Sequence, residues 1–205
     1  KFSEDRVVQI SHNPVGDGSW VTTIDDITER HRSERAIAHL ARHDGLTGLP
    51  NRARFNEAFE WSLTKVRENG GKIAVVAIDL DHFKEVNDSH GHAVGDSVLR
   101  ELAGRVAGNL RVFDMVARFG GEEFLLIMPM TNADAASIAA NRLRKRIAAL
   151  KFIDDEGDPF EVTVSIGVAT SAADAAHETN AILRRADKAL YAAKAAGRNQ
   201  IRLAA

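Results

Sequence analysis

The sequence predicts an α+β fold, a single sheet of about five strands with helices packed against it. Three observations predict it. Ile73 to Leu80 reads Ile-Ala-Val-Val-Ala-Ile-Asp-Leu, an almost unbroken apolar run of the kind found in central strands buried on both faces. Two more apolar runs, Met115 to Phe119 and Phe124 to Met128, flank Gly120-Gly121. A Gly-Gly pair so placed signals a hairpin, because glycine accepts the positive φ that a tight turn demands. Between and after these runs, apolar residues recur at helical spacing.

The elements follow in order. Residues 1–26 carry strand-like pieces, Arg6 to Ser11 and Ser19 to Ile24, around the turn-rich Asn13-Pro14-Val15-Gly16-Asp17-Gly18. Two strands without a cover are marginal alone, so they are expected to complete a sheet whose other strands lie upstream of Lys1. Ile27 to His43 is charged, free of Gly and Pro, and carries a thin seam of Ile37, Leu40 and Ala41. It reads as an exposed connector helix, either pairing with its copy in a dimer or solvated singly. The turn cluster Asp44 to Arg52 launches a helix with Phe55, Phe59, Ser62, Leu63 and Val66 on one face, stopped by Gly70-Gly71. The apolar strand comes next, with Asp79 near its end; a carboxylate there is costly unless paired or bound to a cation. His82 to Asp96 reads as a polar loop, followed by a helix with Val94, Val98, Leu99, Leu102, Val106 and Leu110 on one face. After the Gly-Gly hairpin, a helix from about Asn132 to Leu150 is expected, capped by Asn132 and burying Ile138, Leu143 and Ile147. A second hairpin turns at Asp154 to Gly157 and leads to a strand from Val162 to Ala169. The last helix, about Glu178 to Ala196, buries Ile182, Leu183, Ala186, Ala189, Leu190 and Ala193, stops at Gly197 and gives way to a strand from Gln200 to Leu203. From Arg52 the expected order is α-β-α-β-β-α-β-α-β.

Composition bounds the function. A chain of 205 residues, 44% hydrophobic, can bury one ordinary core with an appendage. With 27 basic and 29 acidic residues interspersed and a formal charge of −2, it lacks the footprint of a duplex nucleic-acid binder. The absence of cysteine excludes disulfides and thiolate metal sites and points to a reducing compartment. No apolar run approaches the roughly 20 residues needed to span a bilayer, and no signal peptide is visible. A cytoplasmic location is expected, with membrane tethering of a parent protein left open. The chain begins at Lys1 and its first residues read as the middle of a longer protein.

The chemistry centres on Glu122 and Glu123, adjacent carboxylates beside the Gly-Gly turn. They repel each other, and either a divalent cation or open water would relieve that. Four blocks then share the order and spacing of one family: Asp44-x-Leu46-Thr47-x-Leu49-x-Asn51-Arg52; Asp79-x-Asp81-x-Phe83-Lys84-x-x-Asn87-Asp88 with Gly91-His92-x-x-Gly95-Asp96; Gly120-Gly121-Glu122-Glu123-Phe124; and Tyr191-x-Ala193-Lys194-x-x-Gly197-Arg198-Asn199. Across about residues 43–203 the chain resembles the GGDEF family of diguanylate cyclases, with Glu122 an accepted variant of that motif's Asp. Gly18-Ser19-Trp20-Val21 and Asp25-Asp26-Ile27-Thr28-Glu29-Arg30 resemble the last strand and exit motif of PAS sensory domains. The resemblances imply a PAS tail over 1–26, a connector over 27–43 and a cyclase domain over 44–205.

The family resemblance implies a sheet like the palm of nucleotidyl cyclases and polymerases, and a reaction joining two GTP into cyclic di-GMP with release of two pyrophosphates. Asp79, Glu122 and Glu123 would form the catalytic centre. The same three, with the Leu80 carbonyl, would hold Mg²⁺ or Mn²⁺, since oxygen-only donors suit these ions. Whether Glu122 is ligand, base or both stays open. Lys84, Lys194, Arg198 and the backbone N–H groups of His82 and Phe83 would meet the triphosphate. Asn87 and Asp96 would read guanine, which disfavours an adenylate-making relative, and Gly121 would leave room for the nucleotide. Asn51 and Arg52 would tie the first helix to the active-site loop, and His90 and His92 receive no metal. Arg111-x-x-Asp114, with Arg142, matches the family's inhibitory site for the product. Turnover would need a homodimer. The alternative is a non-catalytic module that binds GTP or cyclic di-GMP.

Overall fold

A computed structural model describes residues 6–16, 18–171 and 179–204. The chain divides into two compact units, Lys1–Arg42 and His43–Ala205. In the first, β1 (Val8–Pro14) pairs antiparallel with β2 (Trp20–Asp26), and α1 (Thr28–Leu40) follows. Every residue of β2 is exposed, and the seam residues Ile37 and Leu40 of α1 also face water. Asp26 starts the helix by accepting from the Thr28 amide at 3.1 Å and the Thr28 hydroxyl at 2.6 Å. Those bonds, with Arg6 adding its charge, hold the Asp26 carboxyl down at about 2.

The second unit runs α2 (Arg52–Asn69), β3 (Ile73–Leu80), α3 (Phe83–His90), α4 (His92–Ala107), β4 (Met115–Gly120), β5 (Glu123–Pro129), α5 (Ala133–Ala148), β6 (Phe152–Ile153), β7 (Pro159–Phe160), β8 (Val164–Ser171), α6 (Thr179–Ala195) and β9 (Ile201–Leu203). Its main sheet has the order β4-β5-β3-β8-β9, with β8-β9 parallel and the other pairs antiparallel. β3 is therefore the central strand, and all of it is buried.

Strand alternation divides β3 between two cores. Ala74, Val76, Ile78 and Leu80 pack with residues of α4 and α5, among them Leu102, Val106, Leu143 and Ile147. Ile73, Val75 and Ala77 pack with Phe55, Phe59, Leu63 and Val66 of α2 and Ile182, Ala186 and Leu190 of α6. By the same parity Asp79 belongs to the α2/α6 face. That places the carboxylate under α6, at the end of the sheet.

Three expectations need correction. The polar loop over 82–96 is instead α3 and the start of α4, separated at Gly91. Phe83 is buried and Val86, three residues on, is partly so; this one-turn apolar strip suffices to seat a short helix among polar residues. On α5, Ile138 is 71% exposed, and the buried stripe is Ala136, Ala140, Leu143 and Ile147. Ile138 lies two residues from Ala136, about 200° around the helix, so position outweighs side-chain size. Leu110 lies beyond the end of α4, though it still packs on the core. The second hairpin does turn at Asp154–Gly157, and its strands β6 and β7 pair with each other apart from the main sheet. Asn132 does cap α5, accepting from the Ala135 amide at 2.9 Å. The expected helix start at Glu178 lies outside the described residues. No helix among the described residues is long and apolar enough to cross a membrane.

Candidate active site

The site grows from the end of β3. Asp79 stands opposite Glu123 of β5 and Ser165 of β8. The Leu80 amide donates to the Glu122 carbonyl at 3.4 Å, so the hairpin tip is stitched to the same strand end. The structure thus brings Asp79, Leu80, Glu122 and Glu123 together. Leu80 has its side chain in the core, leaving its main chain as the part it can offer a ligand. Glu122 is half-buried and Glu123 exposed. The turn itself is Gly121-Glu122, one residue later than the Gly-Gly pair suggests, because Gly120 pairs with Glu123. Gly121 takes φ +48° at the first turn position, and a Cβ there would meet nothing within 4 Å.

Asp79 is 3% exposed. Burial pushes its carboxyl up to about 6; the Lys194 ammonium, at 2.8 Å from Asp79 Oδ2, pulls against that, and the charges of Glu122 and Glu123 add to the rise. The three carboxylates are thus within electrostatic reach of one another. Among the described residues no three acidic or histidine side chains already form a cation cage. The donors gathered here are nonetheless all oxygens, crowded with negative charge, and that chemistry fits a hard divalent ion.

The hairpin tip is held from behind by Arg118. Its Nε and Nη2 donate to the Gly121 carbonyl at 3.0 and 2.8 Å, while Nη1 donates to Asp44 Oδ1 at 3.0 Å. Asp44 also accepts from the Thr47 amide at 2.9 Å and the Thr47 hydroxyl at 2.7 Å. Although burial opposes it, these partners together hold the Asp44 carboxyl below its ordinary value. Phe119 packs edge-on against Phe55 at 5.4 Å and lies under the Arg52 guanidinium at 4.8 Å. Asn51 caps α2 through the Arg54 amide at 3.1 Å.

Beyond β3 the chain turns through His82, at φ +58°, into α3. The Phe83 and Lys84 amides open that helix, where N–H groups lack intrahelical acceptors and the helix dipole is positive. Lys84 is exposed in the first turn, and His82 pairs with Glu85 at 2.6 Å. Asn87 lies against α4: a Cβ built on Gly95 would fall 2.0 Å from Asn87 Oδ1. Asn87 thus lies against Gly95, the residue before Asp96, and both Asn87 and Asp96 are half-buried. Lys194 and Arg198 sit at and just after the end of α6, half-buried and exposed respectively. His90 bonds Asp154 at 2.9 Å and stacks on Phe160 at 4.3 Å, a structural role. A cavity of about 400 Å³ behind the hairpin takes in Arg52, Phe119, Glu123, Arg184 and Asp187 but none of the residues expected to bind nucleotide.

Sequence reasoning assigned no role to Arg118, Asp81, Arg144 or Asn199. Asp81 and Asn199 stand inside the motifs and Arg118 two residues before one, so their position was a signal. Arg144 had none.

Away from this centre, Arg111, Asp114 and Arg142 line one small pocket between β5 and the helices α4 and α5. Asp114 accepts from the Arg111 amide at 3.0 Å, closing a tight turn rather than a side-chain pair. That turn also borders a groove of about 910 Å³ where Trp61, Val112, Phe113 and Met130 are exposed.

A five-stranded sheet carrying an acidic hairpin beside a buried strand-end carboxylate defines the GGDEF fold. The chain belongs to the GGDEF family: residues 41–200 match the family described as diguanylate cyclase, GGDEF domain. It is 43% identical to diguanylate cyclase DgcP of Pseudomonas aeruginosa over 99% of this chain, but spans only 31% of that protein's length. The coiled coil and GGDEF domain of DgcB from Caulobacter crescentus, solved in complex with c-di-GMP, superposes with a TM-score of 0.77 at 30% identity, covering 86% of this chain and 93% of that one. The active GGEEF domain of a diguanylate cyclase from Vibrio cholerae gives a TM-score of 0.71 at 30% identity, covering 77% and 98%.

Proposed function

We propose that this chain condenses two GTP into cyclic di-GMP with release of two pyrophosphates. The observation that carries the reading is the pairing of Asp79 with Glu123, which sets a buried carboxylate beside an acidic hairpin at the mouth of the sheet. Asp79, the Leu80 carbonyl, Glu122 and Glu123 would hold Mg²⁺ or Mn²⁺, which when bound lowers the pKa of the attacking 3′-hydroxyl and neutralises charge on the leaving pyrophosphate. The backbone N–H groups of His82 and Phe83, in the turn that leads into α3, receive the triphosphate with Lys84 and Arg198. Lys194, which pairs with Asp79 at 2.8 Å, also contributes its charge to the triphosphate. Asp96 accepts from the guanine N1–H and N2–H₂ while the Asn87 amide meets the remaining edge. Gly121 leaves the approach open. Glu122 accepts the hydroxyl proton or serves as ligand.

Each domain binds one GTP, so two copies must face each other for each 3′-hydroxyl to reach the other's α-phosphate. Cyclic di-GMP returns to the pocket of Arg111, Asp114 and Arg142 as an inhibitor, a reading supported by the convergence of these residues on one pocket. Residues 1–26 are read as the tail of a PAS-like sensor, 27–43 as a connector and 44–205 as the cyclase, in a cytoplasmic setting where GTP is supplied. The division into units at Arg42 and His43 supports that boundary.

Incubation with GTP and Mg²⁺ followed by chromatography tests the proposal. Cyclic di-GMP and pyrophosphate are expected, and neither from Glu122→Gln. GTP bound but unconverted by the parent protein would replace this reading with the non-catalytic module. Product inhibition that survives Arg111→Ala would remove the inhibitory site.

A further inference from the structure

Asp81 stands two residues from Asp79 and is 5% exposed, yet its surroundings are of another kind. Its carboxylate accepts from the Thr163 hydroxyl at 2.7 Å, the Ser165 hydroxyl at 2.6 Å and the Asn199 amide at 3.0 Å. An oxygen pair so fully engaged has little left for an ion. The Asn199 bond reaches the turn that follows α6, where Gly197, Arg198 and Asn199 take φ of +107°, +60° and +42°. Two side-chain-bearing residues in succession in the left-handed region persist only where neighbours over-determine them. The second neighbour is Arg144 of α5: its Nη1 donates to the Asn199 carbonyl at 3.0 Å and to Asn199 Oδ1 at 2.7 Å, while Nε is steered by Asn141 at 3.2 Å. On the helix side, the Arg198 amide donates to the Ala193 carbonyl at 3.1 Å, and Gln200 Nε2 donates to the Ala196 carbonyl at 2.7 Å.

We infer that Asp81 and Arg144 are positioning residues for triphosphate binding: gripping Asn199 from two sides, they hold the left-handed turn that presents Arg198 to the phosphates. The inference rests on the proposed role of Arg198. An unheld turn would relax toward ordinary φ values and swing the exposed Arg198 side chain away. Neither Asp81 nor Arg144 needs to touch the nucleotide.

The test is a double-mutant cycle read by binding of α,β-methylene-GTP with Mg²⁺ to the whole chain. Arg198→Ala and Arg144→Ala are each expected to weaken binding about tenfold, as loss of one charge-assisted contact would. Combined, they should lose little more than Arg198→Ala alone, since a misplaced arginine and a missing one are equivalent. Arg144→Lys should recover most of the loss, because one nitrogen makes both bonds to Asn199. Asp81→Asn should lose at least as much as Arg144→Ala; if it fails to fold, the half-exposed Arg144 still decides the matter. Additive losses, or Arg144→Ala binding within about twofold of the parent while Arg198→Ala does not, would overturn the positioning role. No loss in Arg198→Ala would overturn instead the phosphate role on which it stands.

Discussion

The hairpins β1-β2 and β4-β5 are both antiparallel ribbons of apolar and polar residues turned near glycines, yet their settings are opposite. In the first, Ile10, Trp20, Val21 and Ile24 all face water. In the second, Val116, Ala117, Phe124, Leu126, Ile127 and Met128 are buried, and the tip is gripped by Arg118 and backed by Phe119. The difference teaches where a hairpin's precision comes from. A two-stranded ribbon is marginally stable by itself, whereas a third strand and a packed apolar face give it independent stability. Chemistry that needs carboxylates at set positions can be built on the second kind only.

The largest effect that would sharpen this contrast comes from the carboxylates. Glu122→Gln and Asp79→Asn are each expected to lower cyclic di-GMP formation by about a thousandfold or more, measured as initial rates. Asp79→Asn should do so while making the fold stronger. The folded protein holds the Asp79 proton up to about 6, against 3.8 for the ordinary carboxyl. This group's stabilising contribution is therefore greatest below the lower value, is lost as pH rises through the higher, and stays lost above it. Denaturant melts at pH 7.5 should show Asp79→Asn more stable than the parent by on the order of 1–3 kcal/mol, with the two converging near pH 4. A variant less stable than the parent at pH 7.5 would mean that the Lys194 pair outweighs burial.

Next in size is Arg118→Ala. Freeing the tip from Asp44 and Gly121 should cut turnover about ten- to a hundredfold through misplacement, with KM changed less than kcat. Unaltered turnover would show that the sheet alone stiffens the tip. Lys194→Met should follow, with GTP binding weakened about tenfold and the acid limb of the pH–rate profile moved to higher pH, because Asp79 loses the cation that opposes its burial. The smallest effect is expected in the first hairpin. Removing residues 1–42 should leave the melting temperature of the remainder within about 5 °C of the whole chain's cyclase transition. A larger fall would end the contrast between the two ribbons.

Much of this was legible beforehand because periodicity survives where both partners of a contact are apolar. The buried run of β3, the stripe of α2 and the cap at Asn132 are all local patterns, and each stands in the structure as read. The failures have a common physical source. α3 is seated by Phe83 and Val86 in a stretch otherwise polar, so composition masked it. Ile138 was placed inside by its bulk, while small alanines make the real contact. At the site, motif spacing brought Asp79 and the two glutamates into view. Links of long sequence separation did not show: Arg118 to Asp44, Asp81 to Asn199 and Arg144 to Asn199 each join residues more than fifty positions apart.

Gly95 carries a consequence for substrate choice. Asn87 and Asp96 belong to different helices, and the Asn87 amide occupies the volume that a methyl group on Gly95 would fill. If these two side chains read guanine as proposed, their discrimination between purines depends on the spacing of α3 and α4, which Gly95 keeps close because a Cβ there would meet Asn87 Oδ1 at 2.0 Å. Enlarging it by one carbon would leave both hydrogen-bonding groups present and move one of them out of register with a guanine edge. The expected phenotype of Gly95→Ala is an enzyme that still binds triphosphates but prefers GTP over ATP far less.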